Sequence, residues 1–212
     1  MNQYNIVTVE GNTGAGKTTL AKMLANEFNA NLILEEYVDN PFLPRFYAEP
    51  ARYAFHTEVF FFLDRLQQLQ ELNKSRQLSK GLNITDYLFN KSLLYAEVNL
   101  DEEEYKLFAR LFNALHKDLP EPELIVYVHS TVPRLIRNIQ KRGRGFEQQV
   151  RHEYLQEVED LYLRYFDANP NLTVLIIHAD ELDFVHRKED YEGILAQLKK
   201  DYQPGIHHLK WQ

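Results

Sequence analysis

Eight residues near the N-terminus limit what this chain can fold into more than any other stretch. Gly11-Asn12-Thr13-Gly14-Ala15-Gly16-Lys17-Thr18 fits the pattern G-x-x-x-x-G-K-[ST] in full. The β-branched run at 6–9 ahead of it reads as a strand. Residues 17–28 behind it read as a helix, with Leu20, Met23, Leu24 and Phe28 on one face. Glycines let the backbone curl so that successive N–H groups converge on an anion, and the start of a helix adds its positive end. Lys17 then meets the terminal phosphates and the Thr18 hydroxyl is placed to hold magnesium. Residues 11–18, with Thr19 beside them, are therefore expected to bind a nucleoside triphosphate.

The rest of the chain alternates between strand and helix patterns. Strands are expected at 32–34, 82–85, 124–128 and 172–177. Helices are expected at 51–73, 87–98, 148–166 and 187–202. Another opens at a capping box of Asp101 and Glu104, with Phe108, Leu111, Phe112 and Leu115 sharing a face, and one more begins at Pro133. Three prolines make 40–50 a loop with at most one helical turn, and the residues from Gln203 read as a tail. Five strands separated by helices predict a parallel sheet covered on both faces, a three-layer α/β fold of the P-loop NTPase type. Such sheets bind ligands beyond the carboxyl ends of their strands. Gly11, Glu36, Asp86 and His129 all sit at those ends.

Composition removes several classes. With 212 residues the chain is expected to form one domain over 1–212. Lys plus Arg number 24 against 31 Asp plus Glu, a net charge of −7, which argues against a nucleic-acid-binding surface. Its longest apolar runs, such as 59–63, fall far short of the ~20 residues a membrane span needs. There is no cysteine, hence no disulfide and no thiolate metal site. The first five residues do not resemble a signal peptide, so a cytoplasmic setting is expected. Positive charge is local: Arg134, Arg137, Lys141, Arg142 and Arg144 fall within eleven residues, and the Gly-punctuated segment at about 141–148 has the makings of a mobile lid. The eight histidines show no ligand spacing. A guanine-nucleotide switch would need N-K-x-D, and Asn90-Lys91-Ser92-Leu93 lacks the Asp. A large ATPase motor would need more chain, so a small-molecule kinase fits the length best.

Taken together, the motifs resemble the deoxynucleoside kinase family, and within it the bacterial deoxyadenosine/deoxyguanosine kinases. The likeness runs through Gly11–Thr18 and Glu35-Glu36-Tyr37-Val38-Asp39-Asn40-Pro41-Phe42. It continues through Phe46-Tyr47, Phe55-His56-Thr57-Glu58, Leu63-Asp64-Arg65, Thr85-Asp86-Tyr87 and Lys141-Arg142-Gly143-Arg144-Gly145-Phe146-Glu147. It implies transfer of the γ-phosphoryl group of ATP, with Mg2+, to the 5′-hydroxyl of a deoxynucleoside. Glu36 matches the family's general base. Its neighbour Glu35 would point the opposite way along a strand. Tyr47 and Glu147 match the contacts to the sugar 3′-hydroxyl, Tyr95 the aromatic that stacks on the base, and Arg142 and Arg144 the lid cations that stabilise the transferring group. Asp86 and Thr18 match the magnesium site, although an Asp at a strand–helix turn also serves as a helix cap. The family further implies a homodimer joined through the helix at 51–69.

Three departures from the family pattern bear on chemistry. Glu58 and Arg65 lie seven residues apart, on one face of a helix, where the family has Gln and Arg reading the base edge. An ionised Glu only accepts hydrogen bonds, so it favours a base edge rich in donors: deoxyguanosine first, deoxyadenosine second. Tyr87 stands where relatives often have Arg, which leaves a cation missing. Asn138 stands where many relatives have another Arg, with Arg137 beside it as the candidate replacement. Two other readings remain: a thymidylate kinase-like nucleoside monophosphate kinase, and a nucleotide-binding regulator without transfer activity.

Overall fold

The computed structural model describes residues 4–35, 40–76, 81–117, 119–148 and 150–209. Its centre is a six-stranded sheet formed by β1 (Ile6–Glu10), β2 (Asn31–Ile33), β3 (Asn83–Thr85), β4 (Leu124–His129), β5 (Thr173–His178) and β6 (Gly205–Leu209). The spatial order is β2-β3-β1-β4-β5-β6, and every pairing is parallel. The sheet therefore has one strand more than expected. The sixth lies in the presumed tail, pairing Thr173 with Gly205 and Ile177 with Leu209. It is an edge strand with one neighbour, so His207 and His208 can stay polar, and that polarity hid it.

Eight helices connect the strands among the described residues: α1 (Lys17–Phe28), α2 (Leu43–Ala48), α3 (Pro50–Arg76), α4 (Lys91–Asn99), α5 (Glu102–Leu115), α6 (Val132–Arg142), α7 (His152–Ala168) and α8 (Lys188–Leu198). A short 3-10 turn, Gly145–Glu147, follows α6. The capping residue of α5 is Asp101, whose Oδ1 accepts from the N–H groups of Glu103 and Glu104 at 3.0 and 2.8 Å. Pro133 lies in the first turn of α6, as expected. The proline-rich loop carries the one helical turn and more, as α2. Helix α4 starts four residues later than expected, because Tyr87 and Leu88 turn into the core.

Alternation along β4 shows how the layers are held. Leu124, Val126 and Val128 join a core with Leu20 and Leu24 of α1, Leu135 and Ile139 of α6 and Ile194 of α8. Ile125 and Tyr127 face the other way, onto Val158, Tyr162 and Phe166 of α7. A third cluster joins Phe62 and Leu66 of α3 to Tyr87 and to Phe108 and Phe112 of α5. Only half of the expected α5 face is buried: Phe108 and Phe112 are inside, while Leu107, Leu111 and Leu115 lie on the surface with Leu63 of α3. Among the described residues no helix is long and apolar enough to cross a membrane.

Candidate active site

From β1 the chain builds β3 and β2 on one side and β4 onward on the other, so the loop leaving β1 stands where the winding changes direction. That loop is tightly fixed. Gly14 has φ +87°, and a Cβ there would lie 2.8 Å from the Leu135 carbonyl and 3.0 Å from Ile139 Cγ1. Glycine is required on both counts. The Asn12 side chain donates to the Leu155 carbonyl at 2.7 Å and accepts from the Thr13 N–H at 2.8 Å. Asn138 of α6 donates to the Gly14 carbonyl at 2.9 Å. Asn138 thus braces the loop, whereas Arg137 is exposed and is not among the residues lining the cavity over the loop. Lys141, Arg142 and Arg144 line the cavity over Gly14, Gly16, Lys17, Thr18 and Thr19.

A second cavity, of about 100 Å3, shares Lys17, Thr18, Arg142 and Arg144 with the first. Thr18 Oγ1 donates to Asp86 Oδ2 at 2.5 Å, and Asp86 Oδ1 accepts from the Glu35 N–H at 2.7 Å. These oxygens make a hard donor set that fits magnesium, which takes oxygen ligands and keeps several waters. Burial, reinforced by Lys91, lowers the Lys17 ammonium below its usual range against the pull of Glu10, Glu35 and Asp86.

Glu36, the expected general base, lies outside the described residues. Its neighbour Glu35, expected to point the other way along a strand, points into this cavity instead: β2 ends at Ile33, so strand alternation does not reach it. The Arg65 guanidinium binds Glu35 Oε1 through Nε and Nη2 at 2.9 and 2.5 Å, and Lys91 Nζ lies 3.2 Å from Glu35 Oε2. Burial works to raise Glu35, but Lys91, Arg65 and Lys17 outweigh it and hold the carboxyl well below the ordinary carboxylate range. Glu35 is thus a fixed anion.

Lys91 brings to this cavity a buried cation that the sequence reading did not place there. Tyr87 does not supply one: its ring is buried against α3 and its hydroxyl donates to Gln68 Oε1 at 2.8 Å, away from the cavity. Lys91 is only 4% exposed and reaches back between Glu35 and Glu10, 3.9 Å from the latter. Its ammonium also lies 5.2 Å from the centre of the Tyr95 ring. Glu10 in turn accepts from the N–H groups of Gly11 and Leu88 at 2.9 and 2.8 Å. Burial works against the Lys91 charge, yet Glu10 and Glu35 raise its pKa.

Glu58 and Arg65 both line the cavity, as their spacing suggested. Arg65 Nη1 also donates to Ser92 Oγ at 2.8 Å, so among the described residues three of its five N–H groups are engaged and two are not. Glu58 is 3% exposed, and its Oε1 accepts from Asn99 Nδ2 at 2.8 Å. Asn99 also approaches the Tyr154 hydroxyl at 3.4 Å. Burial pushes Glu58 up to about 7, although Arg65, the Asn99 hydrogen bond and Lys91 all act to lower it.

Tyr47 and Tyr95 line the same space. Tyr47 packs against Phe146 at 5.7 Å between ring centres, and burial with the nearby Glu147 carboxylate raises its phenol. Glu147, 4% exposed, holds both lid cations, Arg142 and, at 3.1 Å, Arg144. Lys91, Asn99 and Tyr154 were not singled out beforehand. The signal for two of them was present, since Lys91, Tyr95 and Asn99 recur every fourth residue and so share a face of α4.

Comparison with known proteins came down on the same side. Residues 7–202 match the family model described as Deoxynucleoside kinase. Over 205 residues the chain is 37% identical to a deoxyguanosine kinase of Bacillus subtilis, covering 94% of this chain and 99% of that one. It is 28% identical over 206 residues to a deoxyadenosine kinase of Lactobacillus acidophilus, covering 91% and 94%. In fold it is similar to the structure of deoxyadenosine kinase from M. mycoides with bound dATP. That likeness has a TM-score of 0.80 at 20% identity, over 92% of this chain and 100% of that one.

Proposed function

The chain belongs to the deoxynucleoside kinase family, and from that premise we propose that it moves the γ-phosphoryl group of ATP to the 5′-hydroxyl of a purine deoxynucleoside, deoxyguanosine ahead of deoxyadenosine. One observation carries the reading: the loop cavity and the Glu58–Arg65 cavity meet across Lys17, Thr18, Arg142 and Arg144. Two pockets that share four residues suit a reaction between two bound molecules.

In this reading residues 11–19 hold the triphosphate through backbone N–H groups and Lys17. Thr18 and Asp86 would hold Mg2+, which would supply positive charge at the phosphate oxygens. Glu36 takes the 5′-hydroxyl proton. Arg142 and Arg144, on a lid at about 141–148, leave Glu147 to meet the charge that spreads over the transferring group. Glu147 and Tyr47 then bind the sugar 3′-hydroxyl, and Tyr95 stacks on the base. Glu58 accepts from the guanine edge while a free N–H of Arg65 reaches its O6. The exposed leucines 63, 107, 111 and 115 supply the apolar face on which a second copy would pack as a homodimer.

The test is ADP release from ATP with each of the four deoxynucleosides and their monophosphates as acceptors. The reading predicts turnover with deoxyguanosine and, more slowly, deoxyadenosine. Turnover only with a monophosphate would identify a nucleoside monophosphate kinase, and none with any acceptor would support a binding regulator.

A further inference from the structure

We propose that Glu58 distinguishes the two purines by its own proton, so that one pocket reads guanine when the carboxyl is ionised and adenine when it is protonated. The inference rests on the proposed function, in which Glu58 meets the base edge.

The charges around the carboxyl are the first argument. Arg65 and Lys91 are the buried cations nearest to it, but both are taken. Arg65 is bound to Glu35 through two N–H groups, and Lys91 lies between Glu35 and Glu10. Lys17, from the start of α1, faces Glu10, Glu35 and Asp86 as well, so three cations stand against three other carboxylates, and among the described residues Glu58 is buried with no ion pair of its own. Its one hydrogen bond among the described residues is the Asn99 amide on Oε1. Burying an isolated carboxylate is costly, and such a group takes a proton instead.

The remaining neighbours do not reverse this. From α4, Tyr95 faces the same cavity, and from α7, Tyr154; both phenols are raised well above their usual range by burial and stay neutral. Glu35, beyond β2, adds a like charge. Across the cavity Tyr47 is also neutral, and Arg142 and Arg144 are held by Glu147. The balance pushes the Glu58 carboxyl up to about 7, well above the ordinary carboxylate range.

The two forms present different edges. Asn99 donates to Oε1 in either state, which leaves Oε2 to carry the proton. Ionised, the carboxylate offers two acceptors, matching the adjacent N1–H and 2-amino donors of guanine. Protonated, Oε2–H donates and Oε1 accepts, matching the N1 acceptor and 6-amino donor of adenine. A site with the wrong pattern leaves buried polar groups unpaired and is rejected strongly.

The experiment measures kcat/KM for deoxyguanosine and deoxyadenosine from pH 6 to pH 8. Groups common to both reactions, Glu36 included, cancel in the ratio. The guanosine-to-adenosine ratio should rise by about a hundredfold across that range, roughly tenfold from each substrate. In E58Q, whose amide always offers one donor and one acceptor, the ratio should favour deoxyadenosine and stay flat with pH. Calorimetry on the unaltered protein at pH 7, in two buffers of different ionisation enthalpy, needs no variant. Deoxyguanosine should release protons on binding and deoxyadenosine should take them up. A flat ratio in the unaltered protein, or proton exchange of the same sign for both ligands, overturns the inference while leaving the kinase reading intact. Failure of both nucleosides to accept phosphate overturns the kinase reading itself, and this inference with it.

Discussion

Replacing Lys91 by methionine tests the account of the buried charges. Methionine keeps the apolar stem and removes the ammonium that sits 3.2 Å from Glu35 and 3.9 Å from Glu10. Glu35 keeps its two bonds from Arg65, so the loss falls on Glu10, which is 0% exposed. Breaking a buried ion pair from one side costs about 3–5 kcal/mol, because a charge stays behind in a low-dielectric site. Glu10 retains the N–H groups of Gly11 and Leu88, which puts the cost near the lower end, about 3 kcal/mol. Urea unfolding followed by far-ultraviolet circular dichroism reads this directly. With a slope of about 3 kcal/mol per M, the midpoint should fall by about 1 M with the slope unchanged. A fall of under about 0.3 M would show that Lys91 does not hold the Glu10–Glu35 pair, and the charge balance drawn around Glu58 would fail with it.

Glu36→Gln should lower kcat by on the order of a hundredfold or more while leaving nucleoside binding nearly intact, and near-normal turnover in a steady-state assay would retire Glu36 as the base. Gly14→Ala forces a Cβ into the Leu135 carbonyl at a left-handed φ, which should cost about 1–3 kcal/mol, seen as a lower melting temperature together with a raised KM for ATP. The hydrogen bond between His129 and Glu159 raises the imidazole above its ordinary 6.5, while burial opposes it. That contribution is full below 6.5 and is lost as pH rises through the raised value. His129→Asn should therefore lower the melting temperature clearly at pH 5.5 and little at pH 9; an equal loss at both would contradict the linkage.

The phosphate loop was legible because its constraints are local. Glycines, lysine and threonine at fixed spacing, between a strand and a helix, mean the same thing in any context. The central strands were legible because parallel strands covered on both faces read as continuous apolar runs, as at 124–128 and 172–177. The edge strand β6 was not, since half its surface faces solvent and its sequence need not be apolar. The cations of the site were only partly legible. Local spacing put Arg65 beside Glu58, but which carboxylate each cation would bind depends on where β1, β2 and α4 converge, and those elements lie far apart in the chain. Glu35 and Lys91 belong to that class, and so does Asn138, which braces a glycine 124 residues away. Half of the α5 face stayed exposed for a similar reason: periodicity shows which residues share a stripe, and only the neighbouring helix decides how wide a stripe is covered.

A crystal structure with bound deoxyguanosine tests the central claim most directly, that one cavity presents a nucleoside to the phosphate loop. The account predicts the guanine N1–H and 2-amino group on Glu58, the ring against Tyr95 and the 5′-hydroxyl turned toward Lys17. A nucleoside bound with its sugar away from Lys17, or with its base edge away from Glu58, would contradict it.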